Sequence, residues 1–276
     1  MKKILLPCDF SAPSREAFRF AAALAKKADG EVRILNVTPL PVYQAGPVPE
    51  YGFDTALLAE LEDDAKEKLD KLIAETGAPE ERINLLSETG PVVPTICDVA
   101  KKHGIDVVVM GTHHDGNWLQ SLIGSNTERV MHASEIPVIA IRKFISPDSI
   151  RRIVFPTNLR LDQPVAMNRL KSLQSFFGAT LQVLFVNTPK DFCTDKDISV
   201  LFARFAETYK LDNYTFHVYN DVAQENGILN FAKDVNADMI AMLTHRHIGL
   251  GQLLSGSLTD EVLENATWPL WCTLME

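Results

Sequence analysis

The side chains with the most chemistry per unit length lie between Val107 and Val130, in VVVMGTHHDGNWLQSLIGSNTERV. A β-branched run ends in Met110 and Gly111. A polar loop holding His113, His114 and Asp115 follows, and Gly124-Ser125-Asn126-Thr127 opens a segment of helical pattern. Buried strand, loop, then Gly-Ser at a helix start is an order suited to holding an anion. The first N–H groups of a helix lack intrahelical partners and carry partial positive charge. Gly111 is expected to let the chain turn off the strand, and Gly124 to let backbone approach a ligand with no Cβ between. Ser125 is the expected N-cap, with Glu128 three residues on as its capping-box partner.

Other chemistries fit less well. His113, His114 and Asp115, or His245 with His247, are metal-ligand types. Adjacent histidines on one loop seldom face one ion, and no orienting partners are visible, so no metal site is expected. There is no Walker-type lysine loop and no GxGxxG after the first strand, which removes P-loop and dinucleotide readings. Phosphoryl transfer needs charge neutralisation and a positioned nucleophile. The loop from Gly111 to Ser125 holds neither lysine nor arginine, so an enzyme is not expected beyond a slow ATPase.

Positioning these residues requires a scaffold, and the apolar pattern supplies one. Strands are expected at Lys3 to Pro7, Glu31 to Val37, Ile83 to Ser87, Asp106 to Met110 and Val138 to Ile141. Helices are expected at Pro13 to Ala28 (entered through Ser11), Phe53 to Thr76, Val93 to Lys102 and Asn126 to Ala133. Thr38 to Gly52, with four prolines and two glycines, reads as loop. Strands alternating with helices make an α/β fold, a doubly wound parallel sheet with helices on both faces. In such a sheet the ligand lies at the carboxyl ends of the strands where strand order reverses. Asp9, after the first strand, should then lie beside Gly111, placed to accept hydrogen bonds from a ribose or an adenine edge.

The pattern then repeats. KKILLPCDF is answered by RRIVFPTNL and GEVRILNV by ATLQVLFV, both at an offset of 149 residues. DVVVMGTH is answered by DMIAMLTH, and Gly124-Ser125 by Gly256-Ser257, both at 132. Paired anchors at constant offset on each side of one deletion mark an internal duplication. Two five-stranded domains follow, residues 1–145 and 146–276. The length of 276 residues agrees with two domains at ~150 residues each.

Composition narrows the partners. A net charge of −9 supplies no basic stripe for phosphate backbones, so no nucleic-acid partner is expected. No run approaches the ~18 apolar residues of a membrane span, and Asp9 cuts the N-terminal apolar run short of a signal peptide. Cys8, Cys97, Cys193 and Cys272 are widely spaced and read as buried apolar residues of a reducing, cytoplasmic compartment.

Over nearly its whole length the chain resembles a tandem universal stress protein. The family's nucleotide motif is Gly, two residues, Gly, nine residues, then Gly-Ser or Gly-Thr. Gly111-Thr112-His113 matches its start and Gly124-Ser125 its end, while His114 stands at the middle glycine. Asp9 in Pro7-Cys8-Asp9 matches the family's aspartate, and Val37 the residue whose backbone meets adenine. The resemblance implies a Rossmann-like, adenine nucleotide alpha hydrolase-like fold that binds ATP with Mg²⁺ in stress response or signalling. Its implied site is Pro7, Asp9, Val37, Met110, Gly111, His113, Gly124, Ser125, Asn126 and Thr127. In the second copy Asn158, Leu243 and Arg246 replace Asp9, Gly111 and the middle position, and only Gly256-Ser257 survives, so that half reads as degenerate. A non-nucleotide-binding interaction or scaffold protein, or a slow ATPase, is the alternative function. The resemblance also implies that the two last strands pair within one chain, and it leaves a homodimer open. A residue with a Cβ is costly where backbone must approach a ligand. His114→Gly is therefore expected to tighten ATP binding measured by titration calorimetry.

Overall fold

The computed structural model describes residues 1–39, 55–78, 80–112, 126–245 and 257–275. The proline-rich segment, the loop carrying His113, Gly124 and Ser125, and its counterpart carrying Arg246 and Gly256 lie outside the described residues. The first half runs β1 (Lys3–Pro7), α1 (Ala12–Ala28), β2 (Glu31–Thr38), α2 (Thr55–Thr76) and β3 (Ile83–Thr89). It continues with α3 (Val92–Lys102), β4 (Val107–Gly111), α4 (Asn126–Ala133) and β5 (Val138–Ile141). The second half runs β6 (Arg152–Pro156), α5 (Pro164–Phe177), β7 (Thr180–Asn187), α6 (Asp195–Tyr209) and β8 (Tyr214–Asn220). It closes with α7 (Gln224–Asp234), β9 (Met239–Thr244), α8 (Leu258–Asn265) and β10 (Leu270–Leu274).

The strands form one ten-stranded sheet in the order β3-β2-β1-β4-β5-β10-β9-β6-β7-β8. Neighbours are parallel except at the centre, where β10 meets β5 antiparallel with Trp271 opposite Ile139. The two five-stranded units expected from sequence are therefore joined edge to edge. Side chains alternate across the sheet, so successive residues feed opposite cores. Ile4 and Leu6 pack with α1, α2, α5 and α6 on one face. Leu5 packs with α3, α4, α7 and α8 on the other. β2 runs one residue and β3 two residues past their expected ends, because the two strands pair as far as Thr38 and Thr89.

The halves share local devices as well as topology. Asp106 accepts from the main-chain N–H groups of Lys2 (2.6 Å) and Lys3 (3.0 Å), and Asp238 does the same for Arg151 (2.9 Å) and Arg152 (2.8 Å). α1 and α5 both end in a left-handed residue, Asp29 and Gly178, whose N–H groups satisfy carbonyls of the last turn.

Polar groups cross the join. His132 on α4 is only 5 % exposed. Its Nε2 lies 2.6 Å from Asp260 Oδ1 on α8, and its Nδ1 lies 3.2 Å from the His245 carbonyl and 2.9 Å from Thr244 Oγ1. A carboxylate on one ring nitrogen and a carbonyl on the other both call for donors, which only the imidazolium provides at once. Burial by itself would lower the pKa of His132, but the Asp260 carboxylate and the His245 carbonyl outweigh it and raise the value above 6.5. Arg142 adds hydrogen bonds from Nη2 to the carbonyls of Leu263 (2.9 Å) and Glu264 (2.8 Å) near the C-terminal end of α8. A group that binds its proton more tightly when folded stabilises below its unfolded pKa and loses that contribution as pH climbs through the folded value. Urea unfolding should thus show greater stability at about pH 6 than at about pH 8.5, and His132→Gln should flatten that difference.

Candidate functional site

β1 and β4 are adjacent and parallel, with Ile4 opposite Val107. The chain leaves β1 toward β2 on one side and β4 toward β5 on the other, so a crevice opens beyond their carboxyl ends. There lies a cavity of ≈ 430 Å³. Pro7, Asp9, Val37, Met110, Gly111, Asn126 and Thr127 line it. His113, Gly124 and Ser125 fall outside the described residues.

Each lining residue has a reason for its position. Gly111 does not turn the chain. It is the last residue of β4, partnered with Ile141, and the next N–H, of Thr112, still donates to the Ile141 carbonyl at 3.0 Å. Glycine is needed for another reason: a Cβ there would lie 2.4 Å from the carbonyl atoms of Pro13 and 2.8 Å from the Ser14 nitrogen. The strand end and the first turn of α1 meet backbone to backbone. Ser11 occupies the N-cap of α1 without a side-chain bond to the helix backbone. Asp9 organises the turn instead, its Oδ1 accepting from the Ser11 N–H at 3.0 Å and from the Ser14 hydroxyl. Partial burial pushes the Asp9 pKa up, but the bonds from Ser11 and Ser14 prevail and hold it below its ordinary value. The carboxylate is charged, and among the described residues its Oδ2 stays available to a ligand.

Thr127 is buried in α4 and donates from Oγ1 to the Gly111 carbonyl at 3.0 Å. Its hydroxyl proton therefore ties the helix start to the strand end. Asn126, beside it, is exposed at the N-terminal end of α4. Val37 offers main chain: the Cys8 N–H reaches the Leu35 carbonyl at 2.9 Å, so alternate residues of β2 face β1, and at Val37 β1 has already ended. Its N–H and C=O thus form an amide edge toward the cavity. Cys8 is buried there with its thiol pushed up to about 11, chiefly by desolvation, so it is no nucleophile at neutral pH.

Sequence reading missed Ser11, Ser14 and Thr112 as cavity residues. The signal for Ser14 was a hydroxyl in the first turn of a helix, five residues after a carboxylate. Only the fold brings it against Gly111. Among the described residues no cluster of three or more His, Cys, Asp and Glu side chains is arranged to hold a metal ion, and no helix is long and apolar enough to cross a membrane.

Fold and sequence together define the class. The model of the universal stress protein family matches the chain twice, over residues 1–142 and 149–273, and the chain belongs to that family. Universal stress protein Slr1230 of Synechocystis sp. is 25 % identical over 297 residues, covering 98 % of this chain and 99 % of that protein. Universal stress protein MJ0531 of Methanocaldococcus jannaschii is 31 % identical over 143 residues, 51 % of this chain and 82 % of the relative. A universal stress protein structure from Archaeoglobus fulgidus superposes with a TM-score of 0.75 at 20 % identity, covering 99 % of this chain and 96 % of that one, which establishes the shared fold.

The Gly111 contact gives a direct test. Gly111→Ala puts a methyl into main-chain atoms that cannot step aside, and urea denaturation should register a loss of about 1–3 kcal/mol.

Proposed function

We propose that the first half binds an adenine nucleotide, ATP with Mg²⁺ as the expected form, and that the output is altered binding to a partner in stress response or signalling. The observation that carries this reading is the cavity at the β1/β4 switch point. It presents a charged carboxylate at Asp9, a free amide edge at Val37 and a helix N-terminus at Asn126 on three sides. The amide edge matches the hydrogen-bonding rim of a purine, the Asp9 Oδ2 matches ribose hydroxyls, and helix N–H groups suit phosphate oxygens.

The second half is assigned no ATP. Leu243 stands where the first half has Gly111, Asn158 stands for Asp9, and no lysine, arginine or histidine is among the described lining of either cavity. The absence of cations in that lining also favours binding over turnover, since stabilising a transferring phosphoryl group calls for positive charge. The antiparallel β5–β10 ladder supports a reading in which the halves act as the two members of an internal pair.

Titration calorimetry should give one ATP per chain. Asp9→Asn, which keeps an acceptor for Ser11 but removes the charge, should weaken binding about tenfold. Two equivalent sites, or binding indifferent to the substitution with an unchanged melting temperature, would overturn the assignment.

A further inference from the structure

The half that lost the nucleotide residues did not lose its cavity. At the carboxyl ends of β6 and β9 lies a space of ≈ 440 Å³, as large as the one in the first half. A leucine at the strand end could have closed it, because the glycine at the matching place in the first half touches helix backbone. It does not, since the β6–α5 connection spans 157–163 where the β1–α1 connection spans 8–11. The three extra residues start α5 later along the chain, and Leu243 becomes part of the wall.

The described lining is about as apolar as that of the first cavity and differs from it at particular positions. Nine of the fourteen described lining residues are apolar, among them Phe155, Phe185, Ile228, Met242 and Met275. Among the described lining residues the one ionic group is the Asp191 carboxylate. Gln163 is 6 % exposed and lines the cavity. Its Nε2 donates only to the Met275 sulfur at 2.8 Å, a weak acceptor, and among the described residues its Oε1 accepts no hydrogen bond. That oxygen is not among the fully buried unpaired atoms, so it opens to the cavity and can accept from a ligand. The strand alternation also recurs: the Thr157 N–H meets the Leu184 carbonyl at 2.9 Å, so Val186 turns its N–H and C=O past the end of β6. Beside Asp191 and Gln224, Phe192 is 69 % exposed and Val222 78 %, large apolar side chains following β7 and β8.

We propose that this second cavity is a binding site for an uncharged, ring-bearing molecule of about nucleoside size, and that it rejects phosphorylated compounds. The apolar walls take the ring faces. The Gln163 amide and the Val186 main chain take its hydrogen-bonding edge, and the Leu243 side chain, standing where the first half has Gly111, excludes phosphate. A volume near 440 Å³ lies within the range of small-molecule pockets. The proposal does not rest on ATP binding in the first half.

Methionine methyl NMR separates the two sites on the intact chain, with adenosine as the uncharged probe and ATP as its charged counterpart. Met242 and Met275 line the second cavity and Met110 the first, and single Met→Leu changes, which conserve volume, assign the signals. Adenosine should move the Met242 and Met275 signals saturably, with ATP at least about tenfold weaker at those two methyls. Gln163→Ala should reduce the adenosine response there and leave the response of Met110 to ATP untouched. Silence at Met242 and Met275 up to the solubility of adenosine, or equal shifts with ATP, would overturn the proposal. The response of Met110 reports separately on the first half.

Discussion

The antiparallel contact between β5 and β10 is the interaction on which the rest of the molecule depends. Each half by itself would end in a short apolar edge strand with a row of unpaired N–H and C=O groups, an arrangement that invites association. Pairing the two edges satisfies those groups and buries all of Val138 to Ile141 and Leu270 to Leu274. Trp271, fully enclosed at this join, belongs to a hydrophobic cluster that draws on β1 and α1 as well as β6 and α5. Both cores therefore run through the molecule rather than stopping at the midpoint.

That join also ties the first cavity to the second half. α4 begins beside the first cavity, where Thr127 holds the Gly111 carbonyl. Near its other end His132 meets Thr244 at the end of β9, His245 just beyond it, and Asp260 in α8. Ser257, the N-cap of α8, forms a full capping box with Asp260, so the carboxylate that meets His132 also fixes the start of that helix. One short helix thus has a fixed contact in each half. His132 is buried and Asp260 partly so, and desolvating such charges offsets much of what their attraction contributes.

The two halves share one backbone plan and differ at the strand ends. The carboxylate clamps at Asp106 and Asp238 and the left-handed residues Phe10 and Leu159 after the first strand of each half are shared features of the frame. The differences gather at the strand ends. In the first half glycine lets β4 and α1 touch, drawing Asp9, Ser11 and Ser14 into a tight polar turn. In the second a longer connection sets the helix back, and leucine, phenylalanine and methionine occupy the margin.

The sequence by itself determined the alternation of strands and helices, the duplication and the family, because hydrophobic periodicity and repeated anchors are local and survive without coordinates. It also marked Asp9, Gly111 and Thr127 as residues to watch. It misjudged what Gly111 does, since a backbone-to-backbone contact between residues 111 and 13 leaves no trace in either local pattern. Nor does it show whether Leu243 closes the cavity of the second half, which depends on how far the start of α5 stands from β9. The coupling of His132 to Asp260, 128 residues away, and the merging of two sheets into one were decided by tertiary structure alone. Both arise from packing between segments distant in the chain, where proximity is set by the sheet order and not by spacing along the sequence.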